Sequence, residues 1–456
     1  MEFEAYLESL RGKRAAVLGI GVSNRPLIEL LCAHGVSVTA RDKKTALGEL
    51  GEELRAKGVT LHLGEDYLED LTEDIIFRTP GMRPDLPQLS AAVERGSVLT
   101  SEMEAFFEVC PCPILAVTGS DGKTTTTTII AGLLRAAGKT VHLGGNIGNP
   151  LLAQTGSMRP EDMVVLELSS FQLMTIRKSP CIAVLTNLAP NHLDVHKDYG
   201  EYITAKENNF IHQSAGGIAV FNADNADSVV SAEKAVGEVR WFSRRKELEE
   251  GVFLRGDAVM ARRSGQEREV LKTSDIKLPG LHNLENYMAA IAAVDGLVPD
   301  EVIRTFARDF GGVEHRIELV RNRNGVRWYN DSIASSPSRT IAGLRAFNEK
   351  VILIAGGKDK GIPYDEIGPE INEHVKTLIL CGATADVIRE AVERAENFAN
   401  LPILEAEDYP TAVAMADAAA KEGDVVILSP ASTSFDRFAN FMERGRVFKD
   451  LVNALP

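Results

Sequence analysis

Short runs of apolar residues, each followed by polar or glycine-rich residues, recur along the chain. Such runs are typical of buried strands in parallel sheets, and longer amphipathic stretches between them are typical of helices. The pattern predicts strands at residues 14–18, 36–40, 74–78, 113–117, 163–168, 182–188, 326–329, 351–355, 377–380 and 425–428. It predicts helices at residues 26–33, 124–137, 202–211 and 283–294. This alternation indicates an α/β fold.

Changes in the pattern divide the chain into three blocks, each built on a mainly parallel, doubly wound sheet. At 456 residues the chain is too long for one ordinary core, so several domains are expected. We predict a Rossmann-like N-terminal domain at residues 1–100, a P-loop-type central domain at 101–312 and a Rossmann-like C-terminal domain at 313–456.

The charge balance excludes some classes of partner. Lys and Arg number 50 against 65 Asp and Glu, a net charge of −15. A large nucleic-acid footprint or an anionic membrane surface would require clustered positive charge. We therefore expect small-molecule substrates and no nucleic-acid or membrane partner.

Cysteine usage and the N-terminus indicate a cytoplasmic protein. The five cysteines are scattered and odd in number, which is not a disulfide framework: Cys32, Cys110, Cys112, Cys181 and Cys381. The first residues are acidic and lack the apolar core of a signal peptide. No apolar run approaches the roughly 18 residues that span a bilayer.

The strongest local motif is a glycine-rich turn, Gly119-Ser120-Asp121-Gly122-Lys123-Thr124, between a predicted strand and a predicted helix. The backbone N–H groups of such a turn face a phosphate, Lys123 adds positive charge, and the Thr124 hydroxyl can reach Mg²⁺. The full Walker pattern has glycine where Val117 stands; the shortened form, ending at Thr125, belongs to a narrower set of enzymes. The motif predicts ATP binding.

Polar residues at other strand ends could complete this site. Glu167 ends the strand at 163–168, where a carboxylate opposite the glycine turn is suited to Mg²⁺. His192 follows another strand, and His196 stands four residues later as in zincins. Leu193 stands where a zincin needs glutamate, so zinc is rejected. Lys206 lies on the next helix and, taken alone, would be an ordinary solvated lysine.

The first block carries a weaker nucleotide motif. Gly19-x-Gly21 follows a strand, but Asn24 replaces the third glycine of a dinucleotide fingerprint. The turn either binds a nucleotide diphosphate or is a plain strand-to-helix connection. In the first case Ser23 could donate to phosphate and Asp42 could meet a ribose or a base.

Polar residues also follow three predicted strands of the third block, at 330–332, 356–360 and 429–434. Ligands bind at the carboxyl ends of parallel strands, so we expect a site there that faces the glycine turn. Asn283 and Asn286 open the helix at 283–294 and could bind an adenine edge or ribose. Capping of the helix N-terminus is the simpler interpretation of Asn283.

Taken in order, these segments resemble the Mur ligase family over essentially the whole chain. The resemblance rests on Thr-Gly-Ser-Asp-Gly-Lys-Thr-Thr at 118–125, Gly-Gly-Asn-Ile-Gly at 144–148, Glu-Leu-Ser-Ser-Phe-Gln at 167–172, His-Leu-Asp at 192–194, Leu-Pro-Gly-Leu-His-Asn at 278–283, His-Arg at 315–316, Asn-Asp-Ser at 330–332 and Ser-Pro-Ala-Ser-Thr-Ser-Phe at 429–435. The runs at 167–172 and 429–432 favour the members that add D-glutamate.

The resemblance implies an ATP-dependent amide ligase that adds D-glutamate to UDP-N-acetylmuramoyl-L-alanine through an acyl phosphate, in peptidoglycan precursor synthesis. It implies Mg²⁺, with two ions, and a monomer. The catalytic residues would be Lys123, His192 and Lys206.

The resemblance also assigns binding residues. Precursor would contact Ser23, Asp42, Thr79, Gly81 and Asn146. ATP would contact Gly119, Ser120, Asp121, Gly122, Lys123, Thr124, Thr125, Asn283, Asn286, Arg316 and Asp331. One Mg²⁺ would be held by Thr124 and Glu167, the other by His192 and a carbamylated Lys206. D-Glutamate would contact Lys360, Ser434 and Phe441. Ile333 stands where some members carry Lys, and Ser335 is the alternative for that contact.

Three other functions remain open from sequence. A sibling Mur ligase or a folylpolyglutamate-type ligase would use another amino acid. A dinucleotide-dependent oxidoreductase could be built on Gly19-x-Gly21, although the third glycine is missing. A nucleotide-sensing switch that binds a partner protein would hold ATP without ligation.

Overall fold

The structure is a computed structural model that describes residues 1–21, 24–193, 195–359 and 361–456. It divides into two compact units, residues 1–273 with 285–306 and residues 274–284 with 307–456. Two of the three sheets lie in the first unit and one in the second. The predicted α/β fold is confirmed, and the boundaries of the three predicted domains stay predictions.

The first sheet has five parallel strands in the order β3-β2-β1-β4-β5. Its strands are β1 (Arg14–Leu18), β2 (Ser37–Asp42), β3 (Thr60–Leu63), β4 (Ile75–Phe77) and β5 (Val98–Thr100). Its helices are α1 (Phe3–Leu10), α2 (Asn24–Ala33), α3 (Glu49–Ala56), α4 (Pro87–Glu94) and α5 (Glu102–Val109). The strand order reverses between β1 and β4, which opens a crevice at their carboxyl ends.

The second sheet has nine strands in the order β14-β13-β12-β11-β10-β9-β6-β8-β7. They are β6 (Ile114–Thr118), β7 (Val141–Gly145), β8 (Met163–Glu167), β9 (Ile182–Leu185), β10 (Ile218–Asn222), β11 (Glu238–Ser243), β12 (Gly251–Arg255), β13 (Ala258–Arg263) and β14 (Gln266–Lys272). The strands from β6 to β12 pair in parallel, whereas β13 and β14 extend the sheet antiparallel as an outer meander.

The helices that follow in the chain are α6 (Lys123–Ala136), α7 (Ser170–Leu173), α8 (Tyr199–Glu207), α9 (Ala226–Ala232), α10 (Leu281–Val294) and α11 (Asp300–Asp309), with 3₁₀ turns at Leu152–Ser157 and Thr273–Asp275. One hydrophobic core includes Val17 and Phe77 of the first sheet and Leu166 of the second. This shared core makes the two sheets one compact unit.

The third sheet has six strands in the order β15-β16-β20-β17-β18-β19, of which only β15 is antiparallel to its neighbour among the described residues. They are β15 (Glu318–Arg323), β16 (Val326–Asn330), β17 (Val351–Ala355), β18 (Val375–Leu380), β19 (Ile403–Glu405) and β20 (Val425–Leu428). The helices are α12 (Pro337–Leu344), α13 (Ile367–His374), α14 (Ala385–Arg394), α15 (Tyr409–Ala419) and α16 (Phe441–Ala454).

Several predicted boundaries need correction, among them that of the strand predicted at 182–188, which ends at Leu185. The helix predicted at 202–211 is α8, which starts at Tyr199 because the Asp198 side chain caps it by accepting a hydrogen bond from Glu201 N. The strand predicted at 36–40 is β2, which starts at Ser37 and ends at Asp42, two residues later than predicted. No helix among the described residues has the length and apolar character needed to cross a membrane.

Candidate active site

The glycine-rich turn lies between β6 and α6, in the predicted strand–turn–helix context. Gly119 and Gly122 have φ of 147° and 77°, and Gly122 is the residue before α6. A Cβ at Gly119 would overlap with Thr186 Oγ1. Lys123 Nζ donates to Gly119 O and Ser120 O, at 3.0 and 2.9 Å, so its amine lies over the turn.

The segment after β9 braces this turn. Ser120 N donates to Asn187 O at 2.9 Å, and Asp121 N donates to Asn187 Oδ1 at 3.0 Å. Thr186 Oγ1 donates to Asp121 O at 2.6 Å, and Ser120 Oγ donates to Ala189 O at 2.9 Å. The turn is thus held in shape by the protein itself, as an anion site requires.

Asn286 of α10 approaches the same turn. Thr126 Oγ1 donates to Asn286 Oδ1 at 3.2 Å, and a Cβ at Gly122 would overlap with that oxygen. The structure therefore brings Asn286 beside the start of α6. Asn283, the third residue of α10, donates from Nδ2 to Pro279 O at 2.7 Å.

Glu167 ends β8 in register with Val117 of β6 and Gly145 of β7. Its side chain is buried, and Oε1 accepts a 2.7 Å hydrogen bond from Asn146 Nδ2. Oε2 is buried and accepts no hydrogen bond from the described residues. A buried, unpartnered carboxylate oxygen is unfavourable unless a cation is bound, so the residue fits a Mg²⁺ site.

Lys206 of α8 is buried. From sequence, taken alone, it would be interpreted as an ordinary solvated lysine on a helix. Only 2% of its surface is exposed, and Nζ donates to Gly119 O at 2.8 Å and Thr118 Oγ1 at 3.3 Å. Burial, and then the positive charge of Lys123, hold the pKa of the Lys206 amine well below its usual value. The neutral amine is thereby favoured.

The turn before α8 carries His192 at its exposed surface. His192 has φ of 54°, and its ring lies edge-on to Phe171 at 5.1 Å. His196 is buried instead: Nε2 is 2.9 Å from Ser170 Oγ, and the ring stacks on Phe171 at 5.5 Å. Burial lowers the pKa of His196. The two histidines therefore occupy different environments.

Two of the predicted precursor residues, Asp42 and Thr79, lie near Gly19 at the carboxyl ends of the strands of the first sheet. Asp42 Oδ2 accepts from Ile20 N at 2.8 Å, and Gly19, with φ of 83°, lies against Thr79 at the ends of β1 and β4. Asn24, which replaces the fingerprint glycine, donates from Nδ2 to Gly19 O at 2.8 Å and to Leu18 O at 3.2 Å. The Asn24 side chain therefore stabilises the turn by hydrogen bonds, which a glycine at this position could not form. Ser23 lies outside the described residues.

At the carboxyl edge of the third sheet, the loops after β16 and β20 meet. Asp331 Oδ2 accepts from Ser429 Oγ at 2.7 Å, and Oδ1 accepts from Ile317 N at 3.3 Å. Burial raises the pKa of Asp331 to about 7. Arg316 lies between His315 and Ile317, which have φ of 65° and 44°. A left-handed conformation is unfavourable for isoleucine, so the contacts around this turn hold it.

The residues predicted to contact D-glutamate lie on these loops. Ser434 is buried in the loop after β20, Ser335 is half-buried after β16, and Phe441 begins α16. Phe441 O accepts a 2.8 Å hydrogen bond from Ser332 Oγ. Lys360 lies outside the described residues.

Two features, one at this edge and one in the first unit, were not predicted. Arg444 is buried and donates to Ser332 O at 2.8 Å and Ser432 O at 3.0 Å, which joins two loops. Arg83 forms a bidentate pair with Glu201. Arg444 with Ser332 and Arg83 with Glu201 pair across 112 and 118 positions, so no local pattern indicates either contact.

Two family models match the chain. The Mur ligase middle domain matches residues 117–294, and the Mur ligase, glutamate ligase domain matches residues 315–432. Together they cover the glycine-rich turn, Glu167 and Lys206 in one match, and Asp331 in the other.

Relatives match over the full length. UDP-N-acetylmuramoylalanine–D-glutamate ligase of Acetivibrio thermocellus is 52% identical, with 99% of this chain and 98% of the relative covered. The enzyme of that name from Clostridium kluyveri is 49% identical, with 99% of each covered. Among solved structures, UDP-N-acetylmuramate-alanine ligase from Thermotoga maritima aligns with a TM-score of 0.58 at 17% identity, covering 97% of this chain and 99% of that one. At that identity the likeness shows the fold.

Proposed function

The chain belongs to the Mur ligase family, and on this basis we propose that it joins D-glutamate to UDP-N-acetylmuramoyl-L-alanine with conversion of ATP to ADP and phosphate. The step belongs to the synthesis of peptidoglycan precursors. The full-length similarity to relatives named for this reaction carries the proposal. The geometry of the glycine-rich turn, Glu167 and Lys206 supports its chemistry.

The chemical problem is to make an amide from a carboxylate, which is a poor electrophile. An oxygen of the L-alanine carboxylate forms a bond to the γ-phosphorus of ATP, and ADP leaves. The nitrogen of D-glutamate then bonds to the acyl carbon and loses a proton, and inorganic phosphate leaves. Carboxylate and triphosphate are both anionic, so positive charge at the turn is needed for the first step.

Lys123 and the backbone of residues 119–125 would hold the triphosphate. The amine over the turn and the N–H groups at the start of α6 supply this charge. Asn286 would lie near the nucleoside, together with Asn283, Arg316 and Asp331. His192 is the candidate base for the D-glutamate amine, since its ring is exposed at the turn before α8.

Thr124 and Glu167 would hold one Mg²⁺ and His192 and Lys206 a second. Bound there, Mg²⁺ would neutralise charge on the phosphates and the substrate carboxylate. The unpartnered Oε2 of Glu167 supports the first assignment. Among the described residues no group of three or more His, Cys, Asp or Glu side chains could hold a metal, so water and phosphate oxygens would complete the coordination.

We also propose that Lys206 carries a carbamate. As an ammonium ion it would repel a cation, whereas a carbamate supplies oxygen ligands. The reaction needs a neutral amine: Nζ attacks the carbon of CO₂, an N–C bond forms, and one proton leaves to water. Burial, which lowers the pKa of this amine, favours the reactive form.

Precursor and amino acid would bind on the first and third sheets. Precursor would contact Ser23, Asp42, Thr79, Gly81 and Asn146, and D-glutamate would contact Ser335, Lys360, Ser434 and Phe441. We further propose a cytoplasmic monomer without nucleic-acid or membrane partners. Five free cysteines and an acidic surface charge support this.

The decisive experiment is ADP formation from ATP with UDP-N-acetylmuramoyl-L-alanine, with and without D-glutamate. We expect sustained turnover only when both are present. A panel of L-alanine, D-glutamate, L-lysine, diaminopimelate and L-glutamate separates this function from sibling and folylpolyglutamate-type ligases. Turnover with a different amino acid but not with D-glutamate would contradict the proposal, and so would ADP formation that does not depend on the amino acid.

A further inference from the structure

Two arginines extend from the loop after β4 to the helices of the second sheet. Arg78 is buried and donates from Nη2 to Phe171 O at 3.3 Å and to Thr175 Oγ1 at 2.8 Å. Its Nη1 also donates to Pro80 O and Met82 O, at 3.1 and 2.9 Å, within its own loop. The loop that carries Thr79 and Gly81 is thus fastened to α7 at one end.

Arg83 fastens the other end to α8. Its Nη1 and Nη2 donate to Oε2 and Oε1 of Glu201, both at 2.9 Å, and Nη1 donates to Val195 O at 2.6 Å. Nε and Nη2 also donate to Asp85, at 2.8 and 2.9 Å. A planar guanidinium can satisfy a carboxylate and a carbonyl in this way, whereas a lysine could not reproduce the fork.

Glu201 and Val195 belong to the structure around His192. Val195 N and His196 N both donate to His192 O, at 3.1 and 3.0 Å. Arg83 therefore binds the carbonyl of a residue, Val195, whose own N–H is hydrogen-bonded to His192. Glu201 Oε2 accepts from Lys197 N at 2.7 Å and lies 3.5 Å from His196 Nδ1. His192 is left-handed, so its conformation depends on these contacts.

The contacts close a ring. It runs from the loop through Arg83 to the carbonyl of Val195, along the backbone to His196, from His196 to Ser170 of α7, and from α7 back through Arg78 to the loop. Arg83 and Glu201 are only 20% and 25% exposed, so water weakens the pair less than it would at the surface. A shift of the loop would therefore be transmitted to the turn of His192.

We propose that Arg83 is a positioning residue that couples the binding of the UDP-linked precursor at residues 79–81 to the placement of the turn that carries His192. The inference rests on the proposed function, which assigns the precursor to this loop and His192 to the reacting groups. Arg83 itself touches neither substrate. Its role is to make occupancy of the first-sheet crevice and the geometry of the ligation site depend on each other.

Steady-state kinetics of Arg83→Gln and Arg83→Lys test the coupling. We expect kcat/KM for UDP-N-acetylmuramoyl-L-alanine to fall on the order of tenfold to hundredfold, since small misplacements of reacting groups have effects of that size. The KM for ATP should stay near the wild-type value, because residues 186–189 hold the glycine-rich turn through hydrogen bonds that do not involve Arg83 or Glu201. Arg14→Gln, which removes the Arg14–Asp74 pair at the start of β1, is the control and should behave as wild type.

Amide hydrogen exchange distinguishes coupling from a purely structural role of Arg83, because a purely structural role would not link precursor binding to protection of residues 195–202. In the wild type, precursor without ATP should slow exchange in residues 79–82 and also in residues 195–202. In Arg83→Gln, saturating precursor should protect only residues 79–82. Equal protection of residues 195–202 in both proteins would overturn the proposal.

A second variant keeps the test decisive if Arg83→Gln does not fold. Glu201→Gln removes the same charge pair from the other side, and it should show the same kinetic and exchange pattern. Where both fold, their effects on kcat/KM should be non-additive, and additive effects would oppose the coupling. Wild-type protein that is inactive with precursor and D-glutamate would refute the proposed function, whereas active wild type with unchanged variants would refute only the coupling.

Discussion

Asn146 donates a 2.7 Å hydrogen bond to Oε1 of Glu167, while Oε2 of the same carboxylate accepts none from the described residues. The amide fixes the rotation of the carboxylate and leaves the second oxygen for a cation. We expect Asn146→Ala to raise the Mg²⁺ concentration for half-maximal ADP formation by about 10- to 100-fold, as loss of an outer-shell partner does elsewhere.

A Mg²⁺ titration of ADP formation measures this effect. The matched control is Asn149→Ala, an exposed asparagine in the same loop, which should leave the titration unchanged. If Asn146→Ala altered only the KM for precursor, the amide would serve the substrate and not the carboxylate.

Lys123→Ala should abolish turnover and leave the fold intact. Its amine is the charge over the turn, whereas the turn itself is braced by Thr186 and Asn187. We expect kcat to fall far more than tenfold, with a melting temperature close to that of the wild type. Activity within about tenfold, only ~1.4 kcal/mol of barrier, would refute the phosphate role.

The state of Lys206, and with it the activity of the enzyme, should depend on the concentration of carbon dioxide. Because burial lowers the pKa of its amine, a larger fraction of the amine is neutral than in a solvated lysine, and the neutral form is the one that reacts with CO₂. Protein equilibrated with ¹³C-bicarbonate should show one protected carbamate resonance, absent in Lys206→Arg. CO₂-depleted buffer should lower the activity, and added bicarbonate should restore it. An unmodified amine in fully active protein would contradict the carbamate.

Asp331 should make stability fall as the pH rises. Burial raises its pKa to about 7 from an ordinary value of 3.8, so the folded state binds the proton more tightly than the unfolded state. Between these values the unfolded chain is ionised and the folded one is not, so the unfolding free energy falls with pH. Below pH 3.8 Asp331 does not change the free energy of unfolding with pH, and above about pH 7 its destabilising effect no longer increases.

Asp331→Asn cannot titrate and should lack this slope. Relative to wild type, its free energy of unfolding should be larger at pH 8 than at pH 4, by an amount on the order of a few kcal/mol. Denaturant unfolding across this range measures it. Asp365→Asn, an exposed site in the same unit, should retain the wild-type slope. Parallel pH curves for wild type and Asp331→Asn would contradict the assignment.

Much of the fold could be predicted because parallel strands are marked by local apolar runs. Residues 14–18, 351–355 and 425–428 are strands with the predicted bounds. The meander from β12 to β14 was not predicted. It is rich in Arg and Glu, and its pairing at the sheet edge is decided by partners distant in sequence.

In the candidate site, too, the features set by local sequence could be predicted and those set by distant contacts could not. The strand, glycine turn and helix around Lys123 follow from spacing, because the backbone alone makes that motif. The burial of Lys206 could not be predicted, since it depends on α8 packing against the end of β6. The contact of Arg83 with Glu201 joins residues 118 positions apart and leaves no local pattern.

The meander also bears on how the protein behaves at high concentration. Its outermost strand, β14, is the edge at which another chain could extend the sheet, and Arg304 of α11 donates to two of its carbonyls, Glu269 O and Val270 O. Gln266, Glu267, Glu269 and Lys272 are exposed along it, and charged side chains on an edge strand disfavour pairing with another chain. The edge therefore resists aggregation through its charged side chains and through its contact with Arg304 of α11.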